Sequence, residues 1–177
     1  MQVATPSETV NVIGIGTGNM VSLNIRVAHP AEVKIVALCD VDENQVAPLC
    51  KEFPDAVHGL PPLVGEKNGI EAVIVATPEH PHATITVAVM ELGKHVYCEK
   101  PLTHTIYEAR QLTLAAEKHK VATQMGNQGH ATEGARLTNE WLQAGLIGEV
   151  REVHVWSDRA GKLWKQGIGR PKETLPV

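Results

Sequence analysis

Short β-branched apolar runs alternate along this chain with longer segments whose apolar residues recur every three or four positions. Val10-Asn11-Val12-Ile13-Gly14-Ile15 is the first run and predicts a strand that ends in glycines. Met20 to His29 has helical spacing, with Leu23, Val27 and Ala28 as its apolar positions. Val33 to Cys39 is almost wholly apolar, as a parallel strand covered on both faces must be, and it ends at Asp40. Asp42 and Gln45 have capping-box spacing for a helix to about Phe53. Pro48 should shorten or bend that helix, because proline removes an N–H and clashes one turn back. Ala56-Val57-His58 predicts a brief edge strand, and Pro61-Pro62 forbids regular structure just after it.

From Glu71 the pattern sharpens. Ala72 to Ala76 predicts a buried strand, then a Thr77-Pro78 break and a helix from about Pro81 to Leu92, closed by a left-handed Gly93. His95-Val96-Tyr97-Cys98 predicts the next strand and runs into Glu99-Lys100-Pro101. Thr105 and Glu108 form a capping box for a helix through His119, with Ile106, Ala109, Leu112, Leu114 and Ala115 available for its apolar face. Val121 to Met125 predicts a last parallel strand, turned by Gly126-Asn127-Gln128-Gly129. Alternation of strands and helices implies right-handed crossovers and an α/β fold, a doubly wound parallel sheet. Its domain spans residues 10–130, after a polar tail over residues 1–9. Residues 131–177 read as the beginning of an incomplete second α/β domain. They hold a linker helix from Thr132 to Ala144, a strand from Glu149 to Trp156 and an irregular tail from Ser157 to Val177.

Composition narrows the function. Hydrophobic residues at 43% and charged residues at 20% of 177 suit an ordinary globular protein, and 3% aromatic residues make the core aliphatic. A net charge of −4 argues against nucleic acid as a partner. Cys39, Cys50 and Cys98 form no C-x-x-C pair and are odd in number, which disfavours disulfides and zinc ribbons. The start of the chain lacks a basic, apolar signal, and no run has the length of a membrane span, so a cytoplasmic location is expected.

The first turn, Gly14-Ile15-Gly16-Thr17-Gly18-Asn19, resembles a dinucleotide fingerprint in which Asn19 stands at the third glycine position. Asp40 follows at the end of the next strand, where a ribose-binding acid belongs. An acid there favours NAD over NADP by repelling a 2′-phosphate; its bland alternative is a turn or helix-capping aspartate. Thr77, Pro78 and His80 lie at the carboxyl end of the strand expected beside the first, on the ligand crevice. His80 and His82 have no third ligand at suitable spacing, so no metal is expected, and for His82 alone an ordinary helix start is the better reading. Lys100, held between Glu99 and Pro101 at a strand end, is the expected catalytic position, an ammonium able to donate to a substrate hydroxyl. Asn127 and Gln128 fall on the same edge and suit either nicotinamide contacts or plain turn chemistry. Phosphate-binding-loop, nucleophile-elbow and kinase signatures are missing, which removes support for nucleotide hydrolysis and acyl transfer.

Taken in order, the glycine turn, Cys39-Asp40-Val41-Asp42, Ala76-Thr77-Pro78-Glu79-His80, Gly93 through Leu102 and Gly126-Asn127-Gln128 resemble the Gfo/Idh/MocA oxidoreductases, the glucose-fructose oxidoreductase and inositol dehydrogenase family. The resemblance implies a Rossmann domain, with contacts to the cofactor from Gly14, Gly16, Thr17, Gly18, Asn19, Asp40, Thr77, Pro78, His80, Glu99, Lys100, Pro101, Asn127 and Gln128. It implies NAD(P)-dependent oxidation or reduction of a sugar or polyol, with Lys100 near both nicotinamide and the reacting hydroxyl and Pro101 shaping the turn through a cis bond. It also implies a second domain whose open sheet makes a homo-oligomer and carries the acid/base histidine, so that little turnover is expected of this chain alone. Glycoside cleavage by transient oxidation, a non-enzymatic dinucleotide-binding protein and a degenerate fragment remain the alternatives.

Overall fold

The computed structural model describes residues 9–28, 33–59 and 69–156. The positions of Pro61-Pro62, of the tail from Ser157 to Val177 and of residues 1–8 lie outside them. Six strands, β1 (Val10–Ile15), β2 (Val33–Cys39), β3 (Val57–His58), β4 (Ala72–Val75), β5 (His95–Glu99) and β6 (Thr123–Gly126), form one sheet in the order β3-β2-β1-β4-β5-β6. Every pairing is parallel. Among the described residues the helices are α1 (Asn19–Ala28), α2 (Glu43–Glu52), α3 (His82–Glu91), α4 (Ile106–His119) and α5 (Glu133–Gln143), with a 3-10 turn over Gln128–Ala131.

A parallel strand must bury both faces, and alternate side chains divide accordingly. Val12, Ile35, Leu38 and Ile74 face one way and meet Val21 and Ile25 of α1 and Val46 and Leu49 of α2. Ile13, Ala37, Val73, Val75 and Val96 face the other way and meet Val89 and Met90 of α3 and Leu112 of α4. The two cores explain why the strands carry almost no polar residue. Register then decides where the chemistry can sit. Ile15 of β1 pairs with Cys39 of β2 and Val75 of β4, and Val75 pairs with Cys98 of β5. The strand ends are level, so Gly16, Asp40, Ala76 and Glu99 emerge along a single edge.

Pro48 does not end α2, which runs unbroken for 10 residues with Pro48 on its exposed side and Val46 and Leu49 anchored in the core. Asp42 caps α2 through the Asn44 N–H at 2.9 Å, whereas the Gln45 N–H goes to the Asp42 carbonyl, so no capping box forms there. Gly93 closes α3 at φ 70°. The expected apolar face of α4 is corrected: Ile106 and Leu114 are 79% and 57% exposed, and Leu112 is its one buried residue, because only one narrow stripe of this helix meets the sheet.

The α4 capping box is complete, with Glu108 Oε2 accepting from the Thr105 N–H at 2.8 Å and Thr105 Oγ1 from the Glu108 N–H at 3.2 Å. Chiefly the Thr105 N–H lowers the Glu108 carboxyl pKa; desolvation opposes it, and the Thr105 hydroxyl and the His104 N–H add to the lowering. A lowered folded-state pKa means that this contribution is present above the ordinary carboxylate pKa and fades as pH falls through the lowered one. Thr105→Ala is expected to cost about 1 kcal/mol in urea unfolding.

The chain divides into two compact units, Met1–Asn127 and Gln128–Val177. In the second unit Thr132 caps α5, accepting from the Ala135 N–H and donating to the Gly129 carbonyl. The strand expected from Glu149 to Trp156 is not formed: this stretch has no ladder partner among the described residues, and an apolar alternation without a neighbour cannot satisfy a strand's backbone.

Candidate functional site

Three glycines shape the first turn, each differently. A Cβ on Gly14 would lie 2.8 Å from Ile25 Cδ1 and 3.1 Å from Val21 Cγ1, so Gly14 lets α1 press onto β1. Gly16 has φ +82°, and a Cβ there would lie 2.6 Å from the Thr77 backbone nitrogen. At Gly18 an added Cβ meets nothing within 4 Å, leaving the outer side of the turn open. Close helix packing therefore falls on Gly14, within the strand, and Asn19 at the third fingerprint position simply opens α1. An open turn leading into a helix N-terminus presents backbone N–H groups and the positive end of a dipole, the pattern that receives a pyrophosphate.

Asp40 binds that turn. Its Oδ2 accepts from the Thr17 N–H at 2.6 Å and the Thr17 hydroxyl at 3.0 Å, and its Oδ1 accepts from the Asp42 N–H at 3.0 Å. A carboxylate offers about four acceptor positions, so one remains on Oδ1 for a ribose hydroxyl. Both readings of Asp40, turn aspartate and ribose acceptor, are compatible with this geometry. The clamp to Thr17 had no signature in the sequence.

Across the crevice, Thr77 is half-buried and donates its hydroxyl to the Pro78 carbonyl at 3.2 Å, while Pro78 and His80 are exposed. His82 is separated from His80: it is 1% exposed, with Nδ1 2.8 Å from the Pro101 carbonyl and Nε2 2.9 Å from the Thr77 carbonyl. Both nitrogens are thereby engaged, and a metal pair with His80 is excluded.

At the end of β5, Glu99 is buried, its Oε1 accepting from Asn24 Nδ2 of α1 at 2.7 Å. A Cβ on Gly126 would lie 2.6 Å from that same oxygen, so the glycine at the end of β6 makes room for the carboxylate. Burial turns Glu99 inward, toward α1 and β6. Lys100 follows, exposed and without an ion pair among the described residues, and its bond to Pro101 is cis. Asn127 ends the first unit, exposed, with Oδ1 3.5 Å from Gln124 Nε2; Gln128 opens the second. Sequence reasoning passed over Asn24, read His82 as an ordinary helix start and took Gly126 only as part of a turn, yet all three form the site. Only Gly126 had a signal, as a glycine at a strand end on the crevice edge.

A parallel sheet in this order, with a glycine turn after β1 and an acid after β2 at the topological switch point, defines a doubly wound dinucleotide-binding domain. Residues 10–127 match the model of the oxidoreductase family with an NAD-binding Rossmann fold, Gfo/Idh/MocA, and the chain belongs to that family. It is 32% identical over 152 residues to inositol 2-dehydrogenase 1 of Saccharopolyspora erythraea, covering 82% of this chain and 45% of that protein. It is 27% identical over 165 residues to the 2,7-anhydro-N-acetylneuraminate hydratase of Mediterraneibacter gnavus, covering 90% and 44%. Among solved structures, GenD2 from gentamicin A biosynthesis in complex with NAD superposes with a TM-score of 0.75 at 24% identity, covering 82% of this chain and 42% of that one. The chain thus spans less than half the length of the relatives it matches. No helix among the described residues is long and apolar enough to cross a membrane.

Proposed function

We propose that residues 10–127 hold NAD in preference to NADP, and that the protein transfers hydride between it and a sugar, polyol or related hydroxy compound. The observation that carries this is the level register of β1, β4 and β5, which puts the open glycine turn, Thr77 and the exposed Lys100 on one edge. The turn over Gly16, Thr17, Gly18 and Asn19 would receive the pyrophosphate. Asp40 would accept from the ribose and repel a 2′-phosphate. Thr77, Pro78, His80, Pro101 and Asn127 are assigned to the nicotinamide end. When bound, NAD supplies the hydride acceptor. Lys100 donates to the substrate hydroxyl and holds its carbon toward that acceptor, a task of orientation and electrostatics. Likeness to an inositol 2-dehydrogenase supports a polyol as substrate class.

Calorimetric titration of the purified chain with NADH and NADPH tests the first half. NADH is expected to bind at least about tenfold more tightly than NADPH, the equivalent of about 1.4 kcal/mol. Failure of both to bind removes the reading. Lys100→Met tests the second half. It is expected to leave NADH affinity within about threefold and, in protein carrying a complete second domain, to slow polyol oxidation by about 100-fold or more, read from nicotinamide absorbance. An unchanged rate removes Lys100 from the chemistry.

A further inference from the structure

His82 opens α3 and is all but sealed from solvent, yet both of its ring nitrogens face oxygens that carry no hydrogen. A neutral imidazole has one N–H and one lone pair. In either tautomer the bare nitrogen would aim its lone pair at a carbonyl less than 3 Å away. Only the imidazolium satisfies both partners. A buried charge is normally expelled, but here two carbonyl dipoles replace its hydration.

These carbonyls belong to the two walls of the crevice. Thr77 lies at the start of the β4 turn, where its backbone nitrogen abuts Gly16, and Pro101 follows Lys100 in the β5 turn. We propose that His82 is a charged clasp that ties the β4 turn to the β5 turn and thereby positions Lys100 against the nicotinamide wall. The proposal rests on the cofactor and Lys100 assignments above. His82 touches neither ligand in this scheme, so its role is positional.

The surroundings favour the charged form. The His82 pKa is raised to about 9, most strongly by the Cys98 side chain, with burial opposing and the Pro101 and Thr77 carbonyls adding. Cys98 of β5 is the titratable group facing the ring. Glu79 and His80 precede it in the β4 turn, and Glu99 and Lys100 precede Pro101 in the β5 turn. A folded-state pKa above the ordinary 6.5 means the clasp is fully engaged below that value and is lost as pH rises through about 9.

Spectra of the chain carrying 15N-labelled histidine test this without any cofactor. At neutral pH both His82 nitrogens are expected to bear protons, one being lost through about pH 9. Backbone amides in both turns, at Thr77 and at Lys100 and Leu102, are expected to shift with the same midpoint, and in His82→Gln that coupled shift disappears. A neutral His82 at neutral pH, or turns that ignore its titration, overturns the clasp; if the variant does not fold, the wild-type titration decides alone. NADH affinity of the wild type should fall by about tenfold through the same midpoint. An affinity indifferent to that midpoint overturns the positional role. A titrating clasp with coupled turns in a chain that binds no NADH at any pH supports the clasp and removes the cofactor assignment instead.

Discussion

Gly16→Ala is expected to destabilise the first unit by about 3 kcal/mol or more and to eliminate NADH binding. Two costs combine. An L-residue at φ +82° sits in the left-handed region, worth about 1 kcal/mol for alanine. The larger cost is steric, because the new methyl would lie 2.6 Å from the Thr77 nitrogen and 2.8 Å from the Ala76 carbonyl carbon and the Thr77 Cα. These are backbone atoms at the end of a central strand, not the tip of a flexible side chain. Relief requires β1 and β4 to part, which strains the Ala76 N–H to Ile15 carbonyl bond (2.9 Å) and the Gly16 N–H to Cys39 carbonyl bond (2.8 Å). Gly18→Ala is the control: with open space around the new methyl, its unfolding free energy in urea should stay within about 0.5 kcal/mol of wild type, even where NADH binding weakens. A Gly16→Ala chain as stable as Gly18→Ala would show that the close approach to Thr77 is not needed.

That contrast also shows what the residues alone could reveal. The doubly wound sheet was legible because parallel strands covered on both faces must be almost wholly apolar, and Val33 to Cys39 and Ala72 to Val75 are. The level edge followed from topology, so Gly16, Asp40, Thr77 and Lys100 were readable as neighbours before any distance was known. Where the reading failed, periodicity lacked its partner. Val153 and Val155 alternate like a strand, but nothing pairs with them among the described residues. The spacing of Ile106 and Leu114 suits a helix face, yet it does not say which face meets the sheet. The internal fastenings of the site were hidden for a different reason. Asn24 reaches Glu99 across 75 residues, and His82 holds two backbone carbonyls, which every residue type possesses. A hydrogen bond to a carbonyl leaves no residue-type signature, so a buried histidine at a helix start looked ordinary.

Asp40→Ala is the other substitution with a large expected effect, about 2–4 kcal/mol, because three donors lose their acceptor together. Two of them belong to Thr17, a buried residue of the glycine turn, and its N–H would be left without compensation. Loss of NADH binding in Asp40→Ala would therefore not by itself prove a ribose contact, since the turn that receives the pyrophosphate would also have loosened. Thr17→Val separates the roles. It removes the hydroxyl bond at 3.0 Å, keeps the Thr17 N–H bond at 2.6 Å, and leaves the Asp40 charge in place. Its expected cost is about 1 kcal/mol, with the preference for NADH over NADPH unchanged. Asp40→Asn removes the charge while keeping one oxygen as acceptor, and should narrow that preference by about tenfold or more if the carboxylate repels a 2′-phosphate. Urea unfolding and paired NADH and NADPH titrations on the three variants read the two roles independently. A preference that survives Asp40→Asn would confine Asp40 to fastening the turn.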